Sequence, residues 1–210
     1  MKLTQLYILS AFFLLTNCVT VSNQMSELKP AENYSTQHLE VKDKSAMPAQ
    51  IIFANGETVA ATIRGQKNPF HGILTETSIT KYFPIYDNTG KTQYINFNLI
   101  KEMTIKDFKG EERKFVNMGP DSNSLWEVMY EGTKTNWYKE YSNSSYDQSI
   151  QVTDYFMEKN GNTTKVSGLK SMKNQLRKLT ASKPHLEDMI DSSPTLGKLA
   201  IINILREHDK

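Results

Sequence analysis

The chain predicts an α+β, mainly β protein: antiparallel strands form a small barrel or a curved sheet, and about three helices follow at the C-terminus. Three observations carry this expectation. Residues 48–166 alternate short apolar and polar runs between turn pairs, of which Asn55-Gly56 and Asn160-Gly161 are the clearest. From residue 167 the apolar spacing lengthens to the helical period. The packing residues change at the same boundary. Fifteen of the 21 aromatics lie between Tyr82 and Phe156, whereas seven leucines and no aromatic follow Phe156.

The first strand pair runs from Ile51 to Ala54 and from Val59 to Ile63 across Asn55-Gly56, since both turn residues tolerate the positive φ of a type I′ turn. Ile73, Thr75, Thr77 and Ile79 alternate as a third strand, and residues 82–86 as a fourth. Pro84 lacks an amide donor, which places that strand at an edge or gives it a bulge. Asp87-Asn88-Thr89-Gly90 turns the chain into residues 92–97. Residues 100–105 lead through Lys109-Gly110 to a strand carrying Phe115 and Met118. The loop Gly119-Pro120-Asp121 breaks the alternation, and Trp126, Val128 and Tyr130 resume it. Glu131-Gly132 turns the chain into Thr135, Trp137, Lys139 and Tyr141, and a last pair flanks Asn160-Gly161.

In the helical region Leu169, Met172, Leu176 and Leu179 fall within about 80° of one another at roughly 100° per residue, with Ser167 placed as the N-cap. Ser182 and Pro184 open a second helix carrying Leu186, Met189 and Ile190, and Ser193-Pro194 opens a third. From Leu196 to Leu205 apolar residues point in nearly every direction. Such a helix is sandwiched within its own domain or against a partner.

The first eighteen residues, MKLTQLYILSAFFLLTNC, combine the positive charge of Lys2 with an apolar run from Leu6 to Leu15. That run suits the core of a signal peptide and is too short to span a bilayer. Leu15-Thr16-Asn17-Cys18 resembles a bacterial lipobox, in which the Cys18 thiol is lipidated and becomes the first mature residue. Asn17 stands where Gly, Ala or Ser is usual, and ordinary cleavage after Ser22 is the other route. Residues 1–17 are therefore expected to be a signal peptide and 18–47 a polar tether, a flexible chain of about 30 residues spanning roughly 30 Å. A β-rich domain (48–166) and a helical appendage packed on it (167–210) complete the chain.

Composition narrows the chemistry. The 210 residues carry 25 basic and 23 acidic side chains, a formal charge of +2 that offers no strong field to nucleic acid or an anionic membrane. One cysteine excludes an intramolecular disulfide and any multi-cysteine zinc site. No G-x-S-x-G occurs, the histidines at 38, 71, 185 and 208 are scattered, and the glycines form no phosphate cradle. The expectation is a non-enzyme with no catalytic residue, no metal and no cofactor, and with no nucleic-acid partner. Trp126, Trp137 and Tyr141 are the candidate ligand-stacking residues; alternatively these rings fill the sheet core. Lys170, Lys173, Arg177 and Lys178 form a basic helix face, solvated or turned to an acidic partner.

The segments IIFANGETVAATI, YINFNLIKEMTI and LKSMKNQLRKLTASKPHLEDMI together resemble a group of uncharacterised exported proteins of Bacteroidetes-type bacteria, over roughly residues 48–206. The resemblance implies an envelope location and no chemistry, and only Cys18 takes a role from it, through the lipobox. The opening hairpin is also similar to the start of small SH3-like barrels, which says nothing of function.

Two readings of function follow. The first, preferred on sequence, is a non-enzymatic cell-envelope lipoprotein, anchored at Cys18 to the outer membrane or facing the periplasm. It serves as a protein-interaction or structural module for another envelope protein. This reading predicts an exposed apolar patch on the 196–205 helix or on the Trp137 strand. The second is an exported small-ligand or glycan binder, which predicts a concave pocket lined by Trp126, Trp137 or Tyr141. A hydrolase, third, requires His71 or His185 beside a serine and a carboxylate.

Overall fold

A strand whose alternate residues are apolar must hide one face from water and pair its backbone sideways, and this requirement organises the chain. A computed structural model describes residues 38–210. The expected signal peptide, Cys18 and the first part of the expected tether lie outside the described residues.

The elements are β1 (Ala46–Phe53), β2 (Thr58–Arg64), β3 (Gln66–Lys67), β4 (Leu74–Thr75), α1 (Thr77–Thr80), β5 (Tyr82–Tyr86) and β6 (Thr92–Asn96). A 3-10 turn (Phe97–Leu99) leads to β7 (Ile100–Lys106), β8 (Glu112–Asn117), β9 (Leu125–Glu131), β10 (Thr135–Asn143), β11 (Ile150–Glu158) and β12 (Thr163–Val166). Three helices close the chain: α2 (Leu169–Leu179), α3 (His185–Ser192) and α4 (Lys198–Asp209). The protein is mainly β, with an antiparallel ten-stranded sheet in the order β12-β11-β10-β9-β8-β7-β1-β2-β5-β6. The sheet is open rather than closed into a barrel.

Register carries one apolar face across six strands. Ile51 pairs with Val59 on one side and Met103 on the other, and Met103 pairs with Phe115. Ile63 continues the face to Ile85, and Phe83 to Ile95. These residues form a single core, so this half of the sheet wraps around its own side chains. Each fully buried aliphatic or aromatic side chain contributes about 1.5–3 kcal/mol. The other half cannot close on itself and is covered by the helices: Trp137, Phe156 and Val166 pack with Leu176, Ile190, Ile201, Ile204 and Leu205.

Four hairpins share one turn. In the first, the Phe53 amide donates to the Glu57 carbonyl and the Gly56 amide to the Phe53 carbonyl, with Gly56 at φ +89°. The same pair of bonds recurs with Gly90, Gly110 and Gly161, each at positive φ. The side chains of Asn55, Asp87, Asp107 and Asn160 each accept an amide two residues on. The loop is thus three residues ending in a left-handed glycine, not the two-residue type I′ turn read from Asn-Gly, and Asn55 keeps a negative φ.

Other expectations are corrected. The third strand over 73–79 is only the two residues of β4, after which α1 begins. Within that helical turn Ile79 and Thr80 are both buried. Pro84 lies inside the sheet, not at an edge, but β2 and β5 pair only at Ile63↔Ile85, so little ladder is lost. Gly168 at φ +77°, not Ser167, starts α2. Ser193 donates its hydroxyl to the Met189 carbonyl and so closes α3 instead of opening α4, which begins at Lys198. The last residues of the expected tether are held by the domain: the Leu39 amide donates to Thr62 Oγ1 at 2.9 Å, and β1 already begins at Ala46. Helix α4 buries Ile201, Ile204 and Leu205 within its own domain and leaves Leu199 exposed.

Candidate functional site

The three aromatics singled out from the sequence are not brought together. Trp137 is fully buried in the core under the helices, and its Nε1 donates to Asp154 Oδ1 at 2.7 Å. Tyr141 is buried on the same face and donates its hydroxyl to Glu127 Oε2 at 2.5 Å. Trp126 points to the opposite face, where it stacks on Tyr155 with ring centroids 4.0 Å apart. Tyr141 therefore presents no ring face to a ligand, and Trp137, although closed to solvent, stands in the lining of a cavity beside Lys139 and Asp154. The side of the sheet that the helices cover decided this, and strand alternation carries no information about that choice.

Tyr141 belongs instead to a buried ionic network. Arg113 grips Glu127 and also reaches Glu76 Oε1, at 2.9 Å, from the turn before α1. Burial pushes the Glu127 carboxyl up, but hydrogen bonds and charge from Arg113, with the Tyr141 hydroxyl, outweigh it and hold Glu127 below the ordinary range. Burial raises the Tyr141 hydroxyl, and the Glu127 charge raises it further. Among the described residues, no buried side-chain polar atom of this cluster lacks a hydrogen-bond partner.

The exposed rings lie elsewhere. On β5, Phe83 and Ile85 point into the core, so Tyr82 and Pro84 point out; on β6, Ile95 points in and Tyr94 points out. Pro84 pairs with Tyr94 and Tyr82 with Asn96, which sets Tyr82 and Tyr94 diagonally on either side of the proline. They are 44% and 63% exposed and line a cleft of about 540 Å³. The opposite wall is the end of β2 and β3, with Arg64, Gln66 and Lys67; Ser45 and Ser78 add hydroxyls. Gly65 lets the wall come close, since a Cβ there would meet Met47 Cε at 2.6 Å.

The cleft is positively charged and its cations are positioned. Arg64 Nε lies 3.4 Å from Asp43 Oδ2, and Asp43 also accepts the Tyr86 hydroxyl at 2.6 Å and the Ser45 amide at 2.8 Å. These bonds, the Tyr86 one foremost, hold Asp43 below its usual range. Burial and the Asp43 bond push the Tyr86 hydroxyl up to about 12. Lys67 Nζ stands 4.4 Å from the centre of the Phe108 ring, which leaves the ammonium its hydrogen-bonding capacity. Sequence reasoning passed over Tyr82 and Tyr94 as strand residues. The available signal was their alternation with Phe83, Ile85 and Ile95, which puts two large rings on the solvent side.

Among the described residues no group of three or more His, Cys, Asp or Glu is placed to hold a metal ion. No histidine side chain there is hydrogen-bonded to a serine or a carboxylate; His38 Nδ1 lies 3.0 Å from the Ala61 carbonyl. No described helix is long and apolar enough to cross a membrane. Comparison with protein-family models, with curated proteins and with solved structures finds no match to this chain.

Proposed function

We propose that this protein is a non-enzymatic, exported binding module that takes a carbohydrate chain in the Tyr82–Tyr94 cleft and is anchored to the envelope through Cys18. The observation that carries the reading is the pair of outward tyrosine faces flanking Pro84 inside a concave, hydrogen-bonding cleft. A sugar ring has an apolar C–H face that suits an electron-rich aromatic face, and hydroxyls that suit Arg64, Gln66 and the serines. Export and anchoring rest on residues 1–18 of the sequence. The test is calorimetric titration of the full chain with a panel of neutral and uronic-acid oligosaccharides. Saturable binding that Tyr82→Ala and Tyr94→Ala each weaken at least tenfold supports the reading, and a panel without binders sinks it.

A second reading is favoured by one feature. Strand β6, Thr-Gln-Tyr-Ile-Asn, is an edge strand without charge or proline, which leaves it open to pairing with a strand of a partner protein. A photocrosslinker at Gln93 that captures an envelope protein in cells, with no glycan bound in vitro, would select this reading over the first.

A further inference from the structure

A second cavity, about 360 Å³, lies between the sheet and the helical appendage, remote in sequence from the tyrosine cleft. Its floor is the cross-strand pair Lys139↔Asp154 of β10 and β11. Lys198, from the first turn of α4, faces it, and the walls are apolar, including Val152, Leu169 and Leu196. Val152 and Leu169 are 41% and 44% exposed, half-open apolar groups at the mouth.

The two ammonium groups here are treated unlike the buried cation of the protein. Arg113 has three carboxylates within ion-pair distance. Neither Lys139 nor Lys198 has one among the described residues. Lys139 Nζ sits 5.4 Å from the centre of the Trp137 ring, and the Asp154 Oδ1 atom is turned to the Trp137 indole. The nearby Glu127 is already engaged by Arg113. Burial pushes the Asp154 carboxyl up, against the Trp137 bond and the Lys139 charge. Two ammonium groups against one carboxylate leave the lining with a net charge of about +1 beside an apolar wall.

We propose that this cavity is a binding site for a monocarboxylate on a short apolar body, with the carboxylate between Lys139 and Lys198 and the body against Val152, Leu169 and Leu196. At the ~30 Å³ that a water molecule occupies in the liquid, the cavity has room for about twelve non-hydrogen atoms. A medium-chain acid such as octanoate fits that limit. A single charge matches the lining, and an ammonium–carboxylate hydrogen bond is stronger than a neutral one. The site is independent of the carbohydrate reading and stands or falls without it.

The test is calorimetric titration of the unmodified full chain with octanoate, octanol and inorganic phosphate, with tryptophan fluorescence reporting on Trp137. Saturable octanoate binding with octanol and phosphate each at least tenfold weaker supports the proposal. Equal binding of octanol removes the role of the lysines, and equal binding of phosphate removes that of the apolar wall; either overturns it, as does the absence of octanoate binding. The comparison of ligands needs no variant to fold. In the Lys139→Met/Lys198→Met double variant octanoate affinity falls at least tenfold, whereas Lys198→Arg retains it. An unchanged affinity in the double variant overturns the proposal as well.

Discussion

Arg113 holds Glu127 at two points inside the sheet, with Nε 2.8 Å from Oε1 and Nη2 2.6 Å from Oε2. Only about a tenth of the Arg113 side chain and 3% of the Glu127 side chain are exposed, so each charge depends on the other for its solvation. The pair sits where the self-wrapped half of the sheet meets the helix-covered half. There it fixes β8 against β9 in one register, because a one-residue slip would leave both charges buried and alone.

Removing one partner is therefore expected to be far costlier than losing a surface ion pair. Arg113→Met should destabilise the protein by about 3–5 kcal/mol at pH 7, measured by urea denaturation. The pH dependence has a definite sign. Glu127 is held below its usual 4.5, so its contribution is fully present above about pH 4.5 and is lost as pH falls through the lower folded value. In Arg113→Met burial, which raises Glu127, is opposed only by the Tyr141 bond and the Lys198 charge, so the deficit of the variant shrinks as the pH is lowered towards 4. A deficit constant between pH 7 and 4 would contradict the assignment.

The C-terminus is latched in the same manner. Asp209 Oδ2 accepts the Tyr130 hydroxyl and the Thr133 amide, both at 2.8 Å, and Oδ1 accepts the Lys134 amide at 3.2 Å. Gly132 makes room for it: a Cβ there would stand 1.9 Å from Asp209 Oδ2 and 2.7 Å from the Thr135 carbonyl. Gly132→Ala should expel the carboxylate at a cost of about 1–3 kcal/mol. Gly65→Ala should cost less, since its nearest neighbours, Met47 Cε and Leu74 Cδ1, are movable side-chain ends.

The tyrosine at that latch supplies a spectroscopic readout. Burial, then the bond and charge of Asp209, push the Tyr130 hydroxyl up to about 12. The stabilisation this brings is present below about pH 10 and lost as pH rises through 12. Asp209→Asn should move one tyrosine titration, followed by tyrosinate absorbance, back towards 10. An unmoved titration would show that the carboxylate is not at Tyr130.

On β5 adjacent residues should behave oppositely. Phe83 is fully buried, and Phe83→Ala should cost about 3–5 kcal/mol. Tyr82→Ala and Tyr94→Ala should leave stability within about 0.5 kcal/mol while weakening carbohydrate binding at least tenfold. Thermal denaturation beside calorimetric titration separates the two effects.

Cys18 is tested in cells. Labelled fatty acid should be incorporated into the chain, and Cys18→Ala should abolish the label. A labelled Cys18→Ala chain, or an unlabelled mature chain beginning at Asn23, would remove the anchor.

Most strands were legible in the sequence, and for one reason. In Phe83 and Ile85 or Val59, Ala61 and Ile63 the apolar period is two, and only a strand puts such residues on one side. The turns were located by Gly56, Gly90, Gly110 and Gly161, although their geometry was not. Asn-Gly suits a two-residue loop, and only the observed Phe53–Glu57 pairing shows that the loop holds three. Residues 73–79 misled because Ile73, Thr75, Thr77 and Ile79 satisfy a period of two, while the chain leaves the strand after Thr75 and forms the helical turn Thr77–Thr80 with Ile79 and Thr80 buried.

The site was hidden for a different reason. Trp137 and Tyr82 both stand in alternating strands and are indistinguishable by pattern. Trp137 is covered because α2, α3 and α4, which follow it by more than thirty residues, return over the inner face of β10 and β11. Tyr82 and Tyr94 stay open because no later element returns over the outer face of β5 and β6. The sequence by itself determined the mainly β class, the side of each strand that is apolar and the change from an aromatic to an aliphatic core, because these depend on neighbours two to four residues apart. Tertiary structure alone decided which aromatic faces meet solvent, that Arg113, Glu76 and Glu127 converge, and that Lys139 and Lys198 share a cavity, because each depends on contacts between segments far apart in the chain.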